Sequence, residues 1–347
     1  MQPTMRTIPV AEAVGTILCH DLTRIIPGQE KGPAFRKGHI IREEDIPALL
    51  AMGKEHLYVY TPQTGILHEN EAALRIAHAV AGDNLTFSEP REGRINFLAA
   101  CRGLLQVDAD ALRQVNMLGE IALATLHTLQ EVSAGQPVAG TRIIPLLIEE
   151  EKIAVLESMV QRPLISVLPF QPFKVGVVTT GSEVYYGRIK DGFGPVLTKK
   201  FSAYGCPIAG QTFTTDDAAM TSDAIRAFIA RGVDMVVCTG GMSVDPDDRT
   251  PMAIRSAADR VVSYGAPMFP GAMFMLAFAM REDGKEIPIL GLPGCVMYHN
   301  ASIFELIVPR LLAGLPVHAG DIAALGHGGF CTGCAECRYP LCAFGKF

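Results

Sequence analysis

From Phe173 onward, short apolar runs alternate with segments of helical spacing. Val175 to Thr179, Ile208 to Phe213, Val233 to Cys238 and Ile287 to Leu290 predict strands. Thr214 to Asp217 predicts a helix start, continued to Arg231 and stopped by Gly232, and Glu305 to Gly314 predicts a closing helix that ends on glycine. Near-continuous apolar strands are what a sheet covered on both faces requires, and strand, helix, strand at this spacing implies right-handed crossovers. The expected fold class is therefore α/β, a doubly wound, mostly parallel sheet. Upstream the pattern is less regular. Phe35 to Tyr60 predicts a strand, a helix start at Glu43 to Asp45, a stop at Gly53 and a strand at Leu57 to Tyr60. Asp108 is placed to cap a helix carrying Leu112, Val115, Leu118, Ala122, Leu126 and Leu129. Arg142 to Ile148 predicts a strand, and Glu149 to about Gln161 an acidic-start helix.

These shifts divide the chain into an N-terminal β-rich module (1–92), an α+β linker module (93–172), an α/β domain (173–316) and a linker with a cysteine tail (317–347). A chain of 347 residues, 49% hydrophobic and 19% charged, is long enough to bury the cores of several such parts. The net charge of -6 argues against a nucleic-acid surface, and no basic run is longer than the pair Lys199 and Lys200. The longest apolar stretch, Ala272 to Met280, is about half of what a membrane-spanning helix needs. The first residues show no apolar signal core, so a cytoplasmic location, away from membranes, is expected.

Nine cysteines fall into two groups. Cys19, Cys101, Cys206, Cys238 and Cys295 are scattered, where a small buried thiol is the commonest role. Cys331, Cys334, Cys337 and Cys342 form a C-x2-C-x2-C-x4-C run. Four soft thiolates so close together suit zinc or an iron–sulfur cluster better than disulfides in a cytosolic chain.

Three loops follow predicted strands: Thr179 to Val184, Thr239 to Asp248, and Gly291 to Gly294. In an open parallel sheet they would gather at the carboxyl ends of the strands, where ligands bind. Glycines let backbone N–H groups approach a phosphate, and helix N-termini favour an anion. Glu183, Asp245, Asp247 and Asp248 bring negative charge to the same rim, which makes sense if a divalent cation bridges them or if they accept from N–H donors of a ring. For Asp245 and Asp247, turn formation around Pro246 explains the residues at least as well. A dinucleotide fingerprint is lacking, since Gly192 to Leu197 has two glycines and follows no strand.

Taken together, Thr-Thr-Gly-Ser-Glu183, Thr-Gly-Gly-Met-Ser243 with Asp248-Arg-Thr-Pro251, and Gly-Leu-Pro-Gly294 resemble the molybdopterin-binding domain shared by molybdopterin molybdenumtransferases (the MoeA and gephyrin family) and the adenylyltransferases of the same pathway. Ala11 to Leu22, Phe35 to Tyr60 and Ala134 to Ile148 also look similar to parts of that family. The resemblance implies binding of molybdopterin or its adenylylated form, and insertion of molybdate with release of AMP, assisted by Mg2+. By the same resemblance, Asp248 and Glu183 orient substrate and metal. Thr180, Gly181, Ser182, Gly240, Gly241, Ser243 and Asp191 contact the cofactor, and Gly291, Pro293 and Gly294 form the facing wall. A homodimer is implied as well.

The chain departs from the family in four places. Gly187 to Phe193 keeps Asp191 but lacks the family's serine and asparagine, Ala272 stands where a lysine is expected, the family's Asp-x-Ser-Ala-Met-Asp-Gly-Tyr element is absent, and so is the C-terminal β domain. A non-catalytic cofactor-binding, delivery or sensing protein is therefore the second expectation.

Overall fold

The central strands of the second half of the chain are buried along almost their whole length, and side chains alternating between the two faces put a core on each side of one sheet. The computed structural model describes residues 5–26, 30–60 and 64–346. The first four residues, on which part of the leader reading rests, lie outside them. The chain forms two compact units, the second made of Cys101–Gln106, His127–Ala134 and Val167–Phe347.

The second unit holds a six-stranded sheet of β1 (Val175–Thr180), β2 (Ile208–Thr214), β3 (Met235–Thr239), β4 (Arg260–Tyr264), β5 (Met275–Met280) and β6 (Glu286–Leu292). Their spatial order is β2-β1-β3-β6-β5-β4. The first four in that order are parallel, whereas β5 pairs antiparallel with both β6 and β4. The sheet is thus doubly wound and mostly parallel, with an antiparallel edge that the sequence reading did not place.

Side chains of period two sort to opposite faces. Val175, Val177, Met235, Val237, Leu290 and Leu292 pack with Leu197 and Phe201 of α2 (Phe193–Ser202) and with Ile303, Phe304 and Ile307 of α6 (Ile303–Leu312). Val178, Val236, Cys238, Ile287 and Ile289 pack with Ile225 and Phe228 of α3 (Ala218–Ala230) and Ile254 of α4 (Thr250–Ala257). Phe201 and Phe304 meet edge to face at 5.0 Å, and burial of each ring contributes about 1.5–3 kcal/mol. Three shorter helices belong to the same unit: α1 (Ser182–Tyr185), α5 (Cys295–Tyr298) and α7 (Ala319–Ala324). The stop and start signals act as expected. Asp217 accepts from the Met220 amide at 2.8 Å at the head of α3, and Gly232 follows that helix in the left-handed region.

The first unit contains a four-stranded antiparallel sheet, Leu85–Phe87, Ile95–Ala99, Pro137–Ile143 and Ile121–Thr125, with the helix Glu69–Val80. Its N-terminal part pairs Met5–Pro9 with His56–Tyr60 over Val10, Leu18, Leu22, Ile41, Leu49 and Leu57. Two expectations are corrected here. Asp108 does cap a helix, accepting from the Ala111 amide at 3.0 Å, but the helix covers only Ala109–Met117. Gly119 and Glu120 then take positive φ, and Ala122 lies in a strand, so the longer helical spacing is a coincidence of composition. The strand expected over Arg142 to Ile148 is split between Pro137–Ile143 and Leu147–Glu149. Among the described residues no helix is long and apolar enough to cross a membrane.

Candidate functional site

Strand register brings the three glycine loops to one edge. Thr180 pairs with Thr214, Thr179 with Thr239, and Thr239 with Leu292. The chain leaves β1 at Gly181, β3 at Gly240 and β6 at Pro293, and these strands are neighbours in the sheet. The outcome is the arrangement expected at the carboxyl ends of parallel strands.

Beneath the loops lies a buried chain of hydroxyls. Thr180 Oγ1 donates to the Thr239 carbonyl at 3.2 Å and sits 2.9 Å from Thr250 Oγ1, which donates to the Gly240 carbonyl at 2.8 Å. Thr239 Oγ1 donates to Thr179 Oγ1 at 3.2 Å, and Gln211 Nε2 donates both to Thr179 Oγ1 at 2.9 Å and to Asp191 Oδ2 at 2.7 Å. Thr180 is 4% exposed, so its hydroxyl ties loops together instead of facing solvent. Asp191 is occupied in the same way. Its carboxylate accepts from the amides of Phe193 at 2.8 Å and Gly194 at 2.9 Å, and so fixes the start of α2.

The glycines have separate reasons. Gly240 takes φ +81°, and a Cβ there would stand 2.1 Å from the Thr180 carbonyl oxygen. At Gly241, φ +56°, a Cβ would stand 2.8 Å from Thr250 Oγ1. Gly291 lies inside β6, buried, and leaves space for the Met242 thioether, whose Cε would be 2.5 Å from a Cβ. Gly291 thus packs the second loop onto the third.

The acids divide. Asp245 Oδ1 accepts from the Asp247 amide at 3.1 Å, an Asx turn around Pro246, as expected for that residue. Asp248 is half-buried, and its amide donates to the Asp245 carbonyl at 2.9 Å. Its carboxylate has no hydrogen-bond partner among the described residues, in contrast to Asp191. Glu183 is exposed on α1, and its carboxylate lies over Gly181, with Oε1 2.7 Å from the site of a Cβ there. Asp216, which the sequence reading passed over, accepts from the Ser182 amide at 3.1 Å and the Ser182 hydroxyl at 2.7 Å. It holds the first loop from the end of β2. Ser243 is exposed, as is Gly294, while Pro293 is buried. Among the described residues, no three His, Cys, Asp or Glu side chains stand close enough to hold one ion.

The four closing cysteines do not form a free tail. Phe269 and Cys331 are joined by backbone hydrogen bonding at 2.8 Å, Tyr339 donates to the Glu305 carbonyl at 3.1 Å, and Phe344 is buried in the core of the sheet. All four cysteines line a cavity of about 190 Å³, together with Tyr298, His299, Asn300 and Ala301. The scattered thiols behave differently. Burial pushes Cys19, Cys206, Cys238 and Cys295 above the ordinary thiol range, as inert packing groups require.

Comparison with known proteins agrees with this geometry. Residues 176–313 match a family model described as a probable molybdopterin binding domain, and residues 7–61 match one described as a domain of unknown function. A molybdopterin molybdenumtransferase of Synechococcus elongatus is 23% identical over 194 residues, 53% of this chain and 45% of its own length. A molybdenum cofactor biosynthesis bifunctional protein of the same organism is 30% identical over 33% of this chain and 32% of its own. A CinA-like protein of a Mycobacterium species is 35% identical over 22% and 18%, respectively. The chain spans less than half the length of these curated relatives.

Proposed function

We propose that this chain, whose residues 176–313 carry the molybdopterin-binding type of domain, binds adenylylated molybdopterin at the loops following β1, β3 and β6 and inserts molybdate with release of AMP. The observation that carries the reading is the Thr180–Gly240–Thr250 junction, which brings the glycine-rich turn of the second loop against the end of the first and leaves Asp248 uncommitted beside it. Gly240, Gly241 and Ser243 take the phosphate on backbone N–H groups, while Thr180, Asp191 and Asp216 hold the loops in place. Pro293 and Gly294 border the ring. Asp248 and Glu183 orient the substrate through charged hydrogen bonds. Mg2+ enters with the substrate, as an ion commonly held by one or two carboxylates completed by substrate phosphates. The working form is a homodimer in the cytoplasm.

A second reading is favoured by one position. Ala272 lies in the turn before β5, where the family's lysine is expected, and a methyl group cannot stabilise an oxyanion. A donor of that kind supplies roughly 3–4 kcal/mol of transition-state stabilisation. On this reading the chain binds and delivers the finished cofactor, with the cysteines as a zinc or iron–sulfur site.

Both readings are tested by titrating purified protein with molybdopterin and by following AMP release from the adenylylated form with molybdate and Mg2+. Binding with AMP release supports insertion, binding without it supports delivery, and the absence of binding sinks both.

A further inference from the structure

The closing loop is pinned at both ends and again at Tyr339, which donates to the Glu305 carbonyl. Phe330 and Cys331 pair with Phe269, and Phe344 and Gly345 return to the core and to Gly328, whose carbonyl accepts from Gly345 at 2.9 Å. From Thr332 to Arg338 the residues are exposed. Fixing such a backbone costs on the order of 1–2 kcal/mol per residue, a cost that a group held by the cysteines would offset.

We infer that Cys331, Cys334, Cys337 and Cys342 hold a [4Fe–4S] cluster seated against Tyr298–Ala301. All four cysteines line one space of about 190 Å³. Thiolates set around a space of that size suit a polynuclear group better than a single ion. Spacing points the same way. Zinc sites usually combine two short C-x2-C turns separated by a longer segment, whereas Cys331, Cys334 and Cys337 match the C-x2-C-x2-C start of bacterial iron–sulfur runs; the fourth, Cys342, comes after four residues instead of three and has Pro340 before it, not a proline after it. The far wall of the cavity, Tyr298 to Ala301, begins one turn beyond Gly294, and Lys200 Nζ fixes it by donating to the carbonyls of His299 at 3.2 Å and Asn300 at 3.4 Å. The cluster would therefore steady the segment that leaves the third glycine loop. This deepens the soft-metal reading of the cysteines and is independent of whether a pterin binds.

The step is a ligand exchange without net redox. Each cysteine thiol gives its proton to a departing small thiolate on a preformed [4Fe–4S] complex, four Fe–S(cysteine) bonds replace four Fe–S(small thiolate) bonds, and four small thiols leave. The full chain is mixed anaerobically with a preassembled [4Fe–4S] complex of 2-mercaptoethanol, desalted and analysed. About four iron and four sulfide per chain with visible charge-transfer absorption are expected, falling at least tenfold in a Cys334→Ser, Cys337→Ser variant that keeps the parent circular dichroism. Amide exchange across Cys295–Ala301 is expected to slow in the loaded protein. One zinc per chain taken up by the same thiols in a parallel Zn2+ titration, with no retained iron, overturns the inference, as does retention of iron by the variant. Unchanged exchange across Cys295–Ala301 overturns the seating. Molybdopterin titrated into the loaded protein reports separately: loss of pterin binding with the cluster intact refutes the proposed function and leaves the cluster standing.

Discussion

Gly240 passes so close to Thr180 that a Cβ on the glycine would stand 2.1 Å from the threonine carbonyl oxygen. The contact joins the ends of two neighbouring parallel strands, and the Thr180 and Thr250 hydroxyls, 2.9 Å apart, close it from below. The shape of the second loop is thus set by the end of the first. Both glycine turns belong to one rigid edge, which is what a preorganised site for a phosphate needs.

Gly240→Ala is therefore expected to destabilise the protein by about 2–5 kcal/mol, the sum of left-handed strain and displacement of a backbone oxygen. Gly232→Ala supplies the comparison. Its φ of +80° is nearly the same, but a Cβ there meets nothing within 4 Å, so strain alone should cost about 1–2 kcal/mol. Urea unfolding of both variants checks the difference. Equal losses would show that the contact with Thr180 does not matter.

Asp248→Asn should leave stability within about 0.5 kcal/mol, because its carboxylate holds no partner among the described residues. Molybdopterin affinity should fall at least about tenfold, or 1.4 kcal/mol. Isothermal titration and thermal unfolding on the same preparation test the pair of outcomes. Unchanged affinity would remove Asp248 from the site.

For Asp216→Ala the order is reversed. Two charge-assisted hydrogen bonds to Ser182 are lost, and each is worth about 1.5–3 kcal/mol in favourable settings. The prediction is a measurable loss of stability, with faster amide exchange localised to Gly181–Tyr185. Exchange that speeds up everywhere but there would contradict the positioning role.

Why Asp216 escaped the sequence reading, while Gly240 and Asp248 did not, is a matter of range. The glycine turns and Asp217 are local signals, since their reason lies within a few residues: a strand ending, a helix beginning, a backbone in the left-handed region. Asp216 matters only because β2 lies beside β1, a fact of sheet order that no window of sequence contains. The threonines at 179, 180, 239 and 250 are the same case, being ordinary strand and helix residues until register stacks them. Gly291 looked like part of a ligand wall because of its motif, whereas its place inside β6 against Met242 gives it a packing reason of its own. The overlong helix after Asp108 failed for a different cause. Apolar spacing continued past Met117, but Gly119 and Glu120 turned the chain, and the later apolar residues went into a strand.

Glu305 offers a pH test of the core beneath α6. Its carboxylate caps that helix by accepting from Ser302 N at 2.8 Å and pairs with Lys200, both side chains being largely buried. Burial pushes its pKa above the ordinary 4.5, and Lys200 and Ser302 pull it back only in part. The folded state therefore binds this proton more tightly than the unfolded state does. The resulting stability is fully present below 4.5 and is lost as pH rises through the folded value. Glu305→Gln keeps a side chain that can accept at the cap but cannot titrate. The unfolding free energy of the parent minus that of the variant should accordingly decline as pH rises from below 4.5 to neutrality, measured by urea midpoints at constant ionic strength. A difference that is flat, or that grows with pH, would mean that the Lys200 partnership outweighs burial and that Glu305 is an ordinary ionised half of a salt bridge.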